Sequence, residues 1–278
     1  MRLLPILVAA CGLIAVAGAA GAAPTVDIRH AVARVVVIPE IRPNIVVTLV
    51  KTNARLPLRI TRFAGRVYIS GDVGHRAHNC RTVEGQPVVG VRGRGEIAYR
   101  DMPLVVIYTP MNARVSAGEA VFGSVGRSDS LEFSESGCGN WTIANVRGHL
   151  RLNVDGSGGA RAGAVGSADL SVAGSGAIAA REIRGGLTAF SSGSGDIAAG
   201  SVSGPFNVRI AGAGDVRAPR GRVTRMTASV AGSGDVRFGG VASSLNASVA
   251  GSGAITVAQV TGPISKRVFG SGEVRIGR

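Results

Sequence analysis

Eight glycine turns recur along the second half of the chain at a nearly constant interval, and no other feature restricts the fold as tightly. They begin at Gly137 (GCGNW), Gly156 (GSGGA), Gly174 (GSGAI), Gly193 (GSGDI), Gly212 (GAGDV), Gly232 (GSGDV), Gly251 (GSGAI) and Gly270 (GSGEV). The steps are 19, 18, 19, 19, 20, 19 and 19 residues. A second glycine follows two positions on, at Gly158, Gly176, Gly195, Gly214, Gly234, Gly253 and Gly272. Such a period marks a repeat array in which each copy must stack on its neighbours to bury its apolar side. An irregular predecessor, SAGEAVFG around Gly118, reads as a worn ninth copy.

Within each copy the apolar residues are spaced by two. Leu245, Ala247 and Val249 precede one turn and Ile255 and Val257 follow it, with Val260 near the next corner. Met226, Ala228, Val230, Val236 and Phe238 repeat the pattern one copy earlier. Alternation of this kind puts one side of a strand inward and the other outward, and no helical period competes with it. A coil of about 19 residues, rising roughly 3.3 Å per residue, encloses a narrow tube. Aliphatic residues fill such a tube, and the composition agrees: 45% hydrophobic but only 4% aromatic, with 42 glycines. The expected architecture is an all-β parallel solenoid.

The corner itself invites chemical readings. Its acid position reads Asn140, Gly159, Ala177, Asp196, Asp215, Asp235, Ala254 and Glu273. Calcium needs six to eight oxygens, several anionic, and half of these positions carry no carboxylate. The consecutive set Asp196, Asp215 and Asp235 is left as a local ladder that could hold a cation, or form the flank of a polysaccharide-cleaving cleft. A phosphate loop lacks its strand–loop–helix frame and Gly-Lys-Ser/Thr ending. A nucleophilic serine lacks the G-x-S-x-G elbow. The four histidines, His30, His75, His78 and His149, leave most of the array without a general base. We therefore expect a non-enzymatic protein without a cofactor. In that reading the glycines are corner residues and the acids bond backbone N–H groups at the bend.

Upstream the chain reads differently. ARVVVIP, NIVVTLV, LPLRIT, RVYIS and PLVVIYTP are β-branched runs split by Pro, Gly and Asn. They divide the chain into residues 1–22, a signal peptide; 23–115, a β-rich lead-in capping one end; and 116–278, the array. Arg2, the apolar run from Leu3 to Val16 and the small residues AGAAGAAP predict export, with cleavage after Ala22. The product has no membrane anchor and is placed in the periplasm, at the cell surface or outside the cell. Cys11, in VAAC, is the alternative lipid acceptor. Export leaves two cysteines, Cys80 and Cys138, which most simply form a disulfide tying cap to array. Zinc is the competing reading, because HRAHNC groups His75, His78 and Cys80.

Signal peptide, a lead-in ending PLVVIYTPMNARVSAGEAVFG and repeated GSGDI and GSGDV turns together resemble the GIN-domain family, described as an auto-transporter adhesin head domain. The resemblance spans roughly residues 35 to 275. It implies a right-handed parallel β-helix on an exported bacterial protein and carries over no catalytic residues. No barrel-forming segment follows Arg278, so self-translocation is not expected.

Charge supplies the remaining expectation. Lys51 and Lys266 are the only lysines, so 29 of the 31 basic residues are arginines; against 17 acids the 31 give a net charge of +14. No run of like charge suggests a nucleic-acid tail. Partners are expected among anionic envelope glycans or lipopolysaccharide, or another surface protein. Arg217 and Arg237, in equivalent places of consecutive copies, and Arg275 two coils on, form the candidate stripe. The competing functions are a polysaccharide-acting enzyme using the Asp196, Asp215 and Asp235 flank and a purely structural assembly module.

Overall fold

The structure, a computed structural model, describes residues 23–277. The signal peptide, its cleavage after Ala22 and the Cys11 reading all lie outside these residues. Strands make up 73% of the described residues and stack as about nine turns of a β-solenoid. Beside them stand only two single turns of 3-10 helix among the described residues, Gly74–Arg76 and Tyr99–Asp101.

Each coil has three sides. In the coil around Gly232, residues 226–232 pair in parallel with 206–212 below and 245–251 above. After the glycine corner, residues 236–238 pair with 216–218 and 255–257. Residues 241–242 then pair with 222–223 and 259–260. We call these the first, second and third faces. Glycine at positions 232 and 234 lets the chain turn from the first to the second face between residues 232 and 236, without a Cβ to clash.

Inside, equivalent side chains form columns. One runs Leu131, Leu150, Ala168, Leu187, Phe206, Met226 and Leu245, all buried. The next runs Phe133, Leu152, Leu170, Ala189, Val208, Ala228 and Ala247. The few aromatics are used as plugs: Phe133 packs on Trp141 with ring centroids 4.7 Å apart, and Phe206 on Phe238 at 5.6 Å. Gly123 makes room for Trp141, since a Cβ there would stand 2.7 Å from the indole. Burial of each large aliphatic side chain contributes about 1.5–3 kcal/mol, which gives the stack its main stabilisation.

The parallel stack reaches further toward the N-terminus than the glycine repeat does. Thr25–Glu40 runs along the first face, bends, and continues along the second. Its residues 25–28 pair with 66–69 and 114–117, and its residues 34–40 pair with 104–110. The left-handed positions of the corner here are not glycine: His30 takes φ 54° and Glu119 φ 68°. That is why only the worn SAGEAVFG copy marks these coils in the sequence. Antiparallel partners close this end, Val46–Lys51 on residues 104–108 and Leu58–Phe63 on residues 66–71. Covered edges of this kind prevent strand addition. A separate antiparallel sheet, Ala77–Val83, Gln86–Val91 and Gly95–Ala98, packs a small second core of Val32, Val89, Ile97 and Phe122 against the flank.

Candidate functional site

At the glycine corner two backbone donors share one acceptor. The N–H groups of Ser233 and Gly234 both donate to the Gly212 carbonyl, at 3.0 and 3.2 Å, and those of Ser252 and Gly253 repeat this on Gly232. Gly232 sits at φ 133°, and a Cβ on it would lie 2.2 Å from the Gly212 oxygen. The first glycine of the motif therefore answers to backbone conformation and to the close approach of the coil below. The second answers to approach alone, as a Cβ at Gly234 would lie 2.1 Å from the Gly214 oxygen.

The turn acids complete this corner. Asp196 Oδ1 accepts the N–H of Asp215, Asp215 Oδ1 accepts that of Asp235, and Asp235 Oδ1 accepts that of Ala254, each at 2.9 Å. The bond expected within a bend is thus made to the next coil. The other oxygens of Asp215 and Asp235 face arginine. Arg217 pairs with Asp215 Oδ2, Arg237 with Asp235 Oδ2 at 2.6 Å and with Asp215 Oδ2 at 3.6 Å, and Arg275 with Glu273 at 2.5 Å. Arg217, Arg237, Thr256 and Arg275 do lie in one column of the second face. Each of these arginines, however, is paired with the acid two residues before it. Asp215 and Asp235 have one oxygen on a backbone donor and the other on a guanidinium, so both oxygens of each are engaged.

Below the start of this ladder, on the coils before Asp196, the second face is shallow. Gly159, Ala177, Ala179 and Ala198 leave a depression of about 480 Å³ bordered by Asn140, Arg161 and Asp196. Among the described residues no group of three or more His, Cys, Asp or Glu is placed to hold a metal ion.

Cys80 and Cys138 form a disulfide, with Cα atoms 6.3 Å apart, that fastens the small antiparallel sheet to the first GCG corner. Bonded to each other, the two sulfurs are not thiolate ligands, and the zinc reading gives way to the cross-link. His75 lies at the same cleft but faces Glu119, Nδ1 to Oε1 3.9 Å, and His30 approaches the same oxygen at 3.6 Å.

Glu135 was not visible as special in the sequence. It occupies an inward column otherwise filled by Val154, Val172, Ser191, Ile210, Val230 and Val249. Its Oε1 accepts the Gly139 N–H at 3.0 Å, and its Oε2 is buried without a partner. Burial pushes its pKa up to about 7, against the opposing pull of the Gly139 and Gly137 N–H groups. An alternating pattern gives little warning here, because SLEFSESG still alternates in size.

The third face also escaped the sequence reading. Its segments 200–205, 219–225, 239–244 and 258–263 contain Arg220, Arg222 and Arg225 and no acidic residue. All three arginines are exposed.

Comparison with known proteins agrees with the architecture. Residues 182–277 match the family model described as "Putative auto-transporter adhesin, head GIN domain". The sequence resemblance therefore holds over the last coils. The fold is similar to that of a Parabacteroides distasonis protein whose crystal structure is described as that of a "putative lipid binding protein". The TM-score is 0.53 at 17% identity, with 91% of this chain and 92% of that one covered. At that identity the likeness is one of fold. No curated protein matches the sequence.

Proposed function

We propose that this chain, whose last coils carry the GIN head-domain match, is an exported, non-catalytic binding module of the cell envelope. Its solenoid is the scaffold and its ligands are anionic surface molecules. One observation carries the reading: a stiff, ladder-bonded stack holds exposed guanidinium groups at fixed positions, some of them with no carboxylate partner among the described residues. Arginine on such a frame recognises phosphate or carboxylate with little loss of side-chain freedom.

The disulfide supports an oxidising compartment, as does the signal-type N-terminus. No helix of the described residues is long and apolar enough to cross a membrane. The engaged state of Asp215 and Asp235 speaks against their use as an acid and base pair, which general acid–base chemistry needs free to exchange protons. The neighbour described as a lipid binding protein points to amphiphiles with charged head groups as a class to test first.

The test is a co-sedimentation series with vesicles of phosphatidylcholine containing increasing phosphatidylglycerol, repeated with a purified anionic bacterial glycan. Binding that rises with anionic content and falls steeply between low and physiological salt is expected, because ionic strength screens exposed charges. No binding to either anionic surface at low salt removes the reading.

A further inference from the structure

We infer that the third face at coils 181–225 is a phosphate-binding cradle, with Ser203 as its floor and Arg184 and Arg222 as its walls. This inference rests on the envelope-binding function proposed above and names its site. Register places the residues. Ile183 pairs with Val202, Val202 with Gly221 and Ser203 with Arg222, so Arg184, Ser203 and Arg222 follow one another in a single outward column. With coils about 4.8 Å apart, the two guanidinium stems rise roughly 10 Å from each other across the serine. That gap admits a phosphoryl group, with guanidinium donors on two sides and a hydroxyl beneath.

The surroundings favour an anion. The floor is low, made by Gly185, Ser201, Ser203 and Gly204. Arg220 and Arg225 extend the wall on the Arg222 side, and neither makes an ion pair among the described residues. Glu182 is the one acid on the third-face segments of these three coils. It holds Arg184 at 3.2 Å in an exposed pair that water screens heavily. By contrast, the arginines of the second-face column are engaged by Asp215, Asp235 and Glu273.

A second, independent observation marks the same spot. The single 20-residue step of the repeat coincides with a bulge on this face. Register shifts between Gly204 and Pro205, so that Thr224 is the added residue between Val223 and Arg225. A bulge in one strand re-aims the side chains near it. Here the exposed arginines nearest to it are Arg225, next to Thr224, and Arg222, two residues before it. The partner chemistry is a phosphate group, borne by a lipid head group or free in solution.

Two double variants, Arg184→Ala/Arg222→Ala and Arg222→Ala/Arg225→Ala, are compared with Arg59→Ala/Arg66→Ala, which removes the same charge from the lead-in. Affinity is measured for phosphatidylglycerol vesicles and, separately, for inorganic pyrophosphate, on proteins with unchanged melting curves. The two cradle variants are expected to bind about tenfold more weakly and the control less than twofold. The same ranking with pyrophosphate identifies the phosphate group as sufficient, and a ranking confined to vesicles identifies the membrane-borne head group. Equal losses in all three variants overturn the cradle while leaving general anion binding intact. Failure of the parent protein to bind either probe at low salt overturns both.

Discussion

Asp215 accepts the backbone N–H of Asp235 on one carboxylate oxygen, at 2.9 Å, across the gap between two coils. A side chain here substitutes for a backbone carbonyl in the inter-coil ladder, and the same substitution occurs at Asp196 and Asp235. The GSGD turn is thereby a fastening between coils as well as a corner within one. This bears on stability directly. Asp215→Ala is expected to lower stability by about 1–2 kcal/mol, since a half-buried N–H loses its acceptor. Asp215→Asn keeps an oxygen in place and should cost less than half as much, because only the exposed Arg217 and Arg237 pairing is lost. Urea titration of both variants checks the order, and equal losses would locate the effect in the ion pairs.

Glu135 predicts a pH dependence with a definite sign. Its folded pKa of about 7 lies above the ordinary 4.5, because the buried site disfavours the ionised form. Its contribution is then fully present below about pH 4.5 and lost as pH rises through about 7. Asp155 adds like charge in the same direction. Glu135→Gln should match the parent protein near pH 4.5 and exceed it above pH 8, by up to about 3 kcal/mol. Thermal melts across that range measure the difference, and parallel curves for the two proteins would count against the buried, unpaired Oε2.

The inward columns set the cost of core changes. Val249 is fully buried between Val230 and Val268. Val249→Asp places an unpaired charge there and is expected to prevent stable folding or to cost more than about 4 kcal/mol. Ser252→Ala, on the outer side of the neighbouring corner, should stay within about 0.5 kcal/mol. Comparable melting temperatures for the two would mean that the strand faces are reversed.

Gly232→Ala separates corner geometry from composition. Its φ of 133° and the Gly212 oxygen 2.2 Å from an added Cβ leave no compatible placement. We expect a loss of several kcal/mol, against a few tenths for Ala231→Ser one position earlier, which points outward. Denaturant midpoints compare the two.

The cross-link gives a redox prediction. Native protein should show no titratable thiol, and Cys80→Ser should lower stability by roughly 2–4 kcal/mol by releasing a 58-residue separation. Loss of protection in hydrogen exchange should concentrate in residues 77–98, the sheet that the bond fastens. Two reactive thiols in the native protein would contradict the pairing.

By itself the sequence determined the architecture of the array. A 19-residue period, alternating apolar residues and corner glycines admit little besides stacked parallel coils, since each requirement is local and repeats. The same locality made the disulfide readable, because two cysteines in an oxidising setting have few alternatives. Tertiary structure decided what locality cannot express. That Thr25–Glu40 already belongs to the stack depends on pairing with residues 66–71 and 104–125, far along the chain, through a corner made by His30 and Glu119 without glycine. That Arg217 and Arg237 are engaged while Arg222 has no acidic partner among the described residues depends on which acid lies within reach in three dimensions. Charge counts treat all arginines alike, whereas binding depends on the neighbours that the stacking of coils brings to each one.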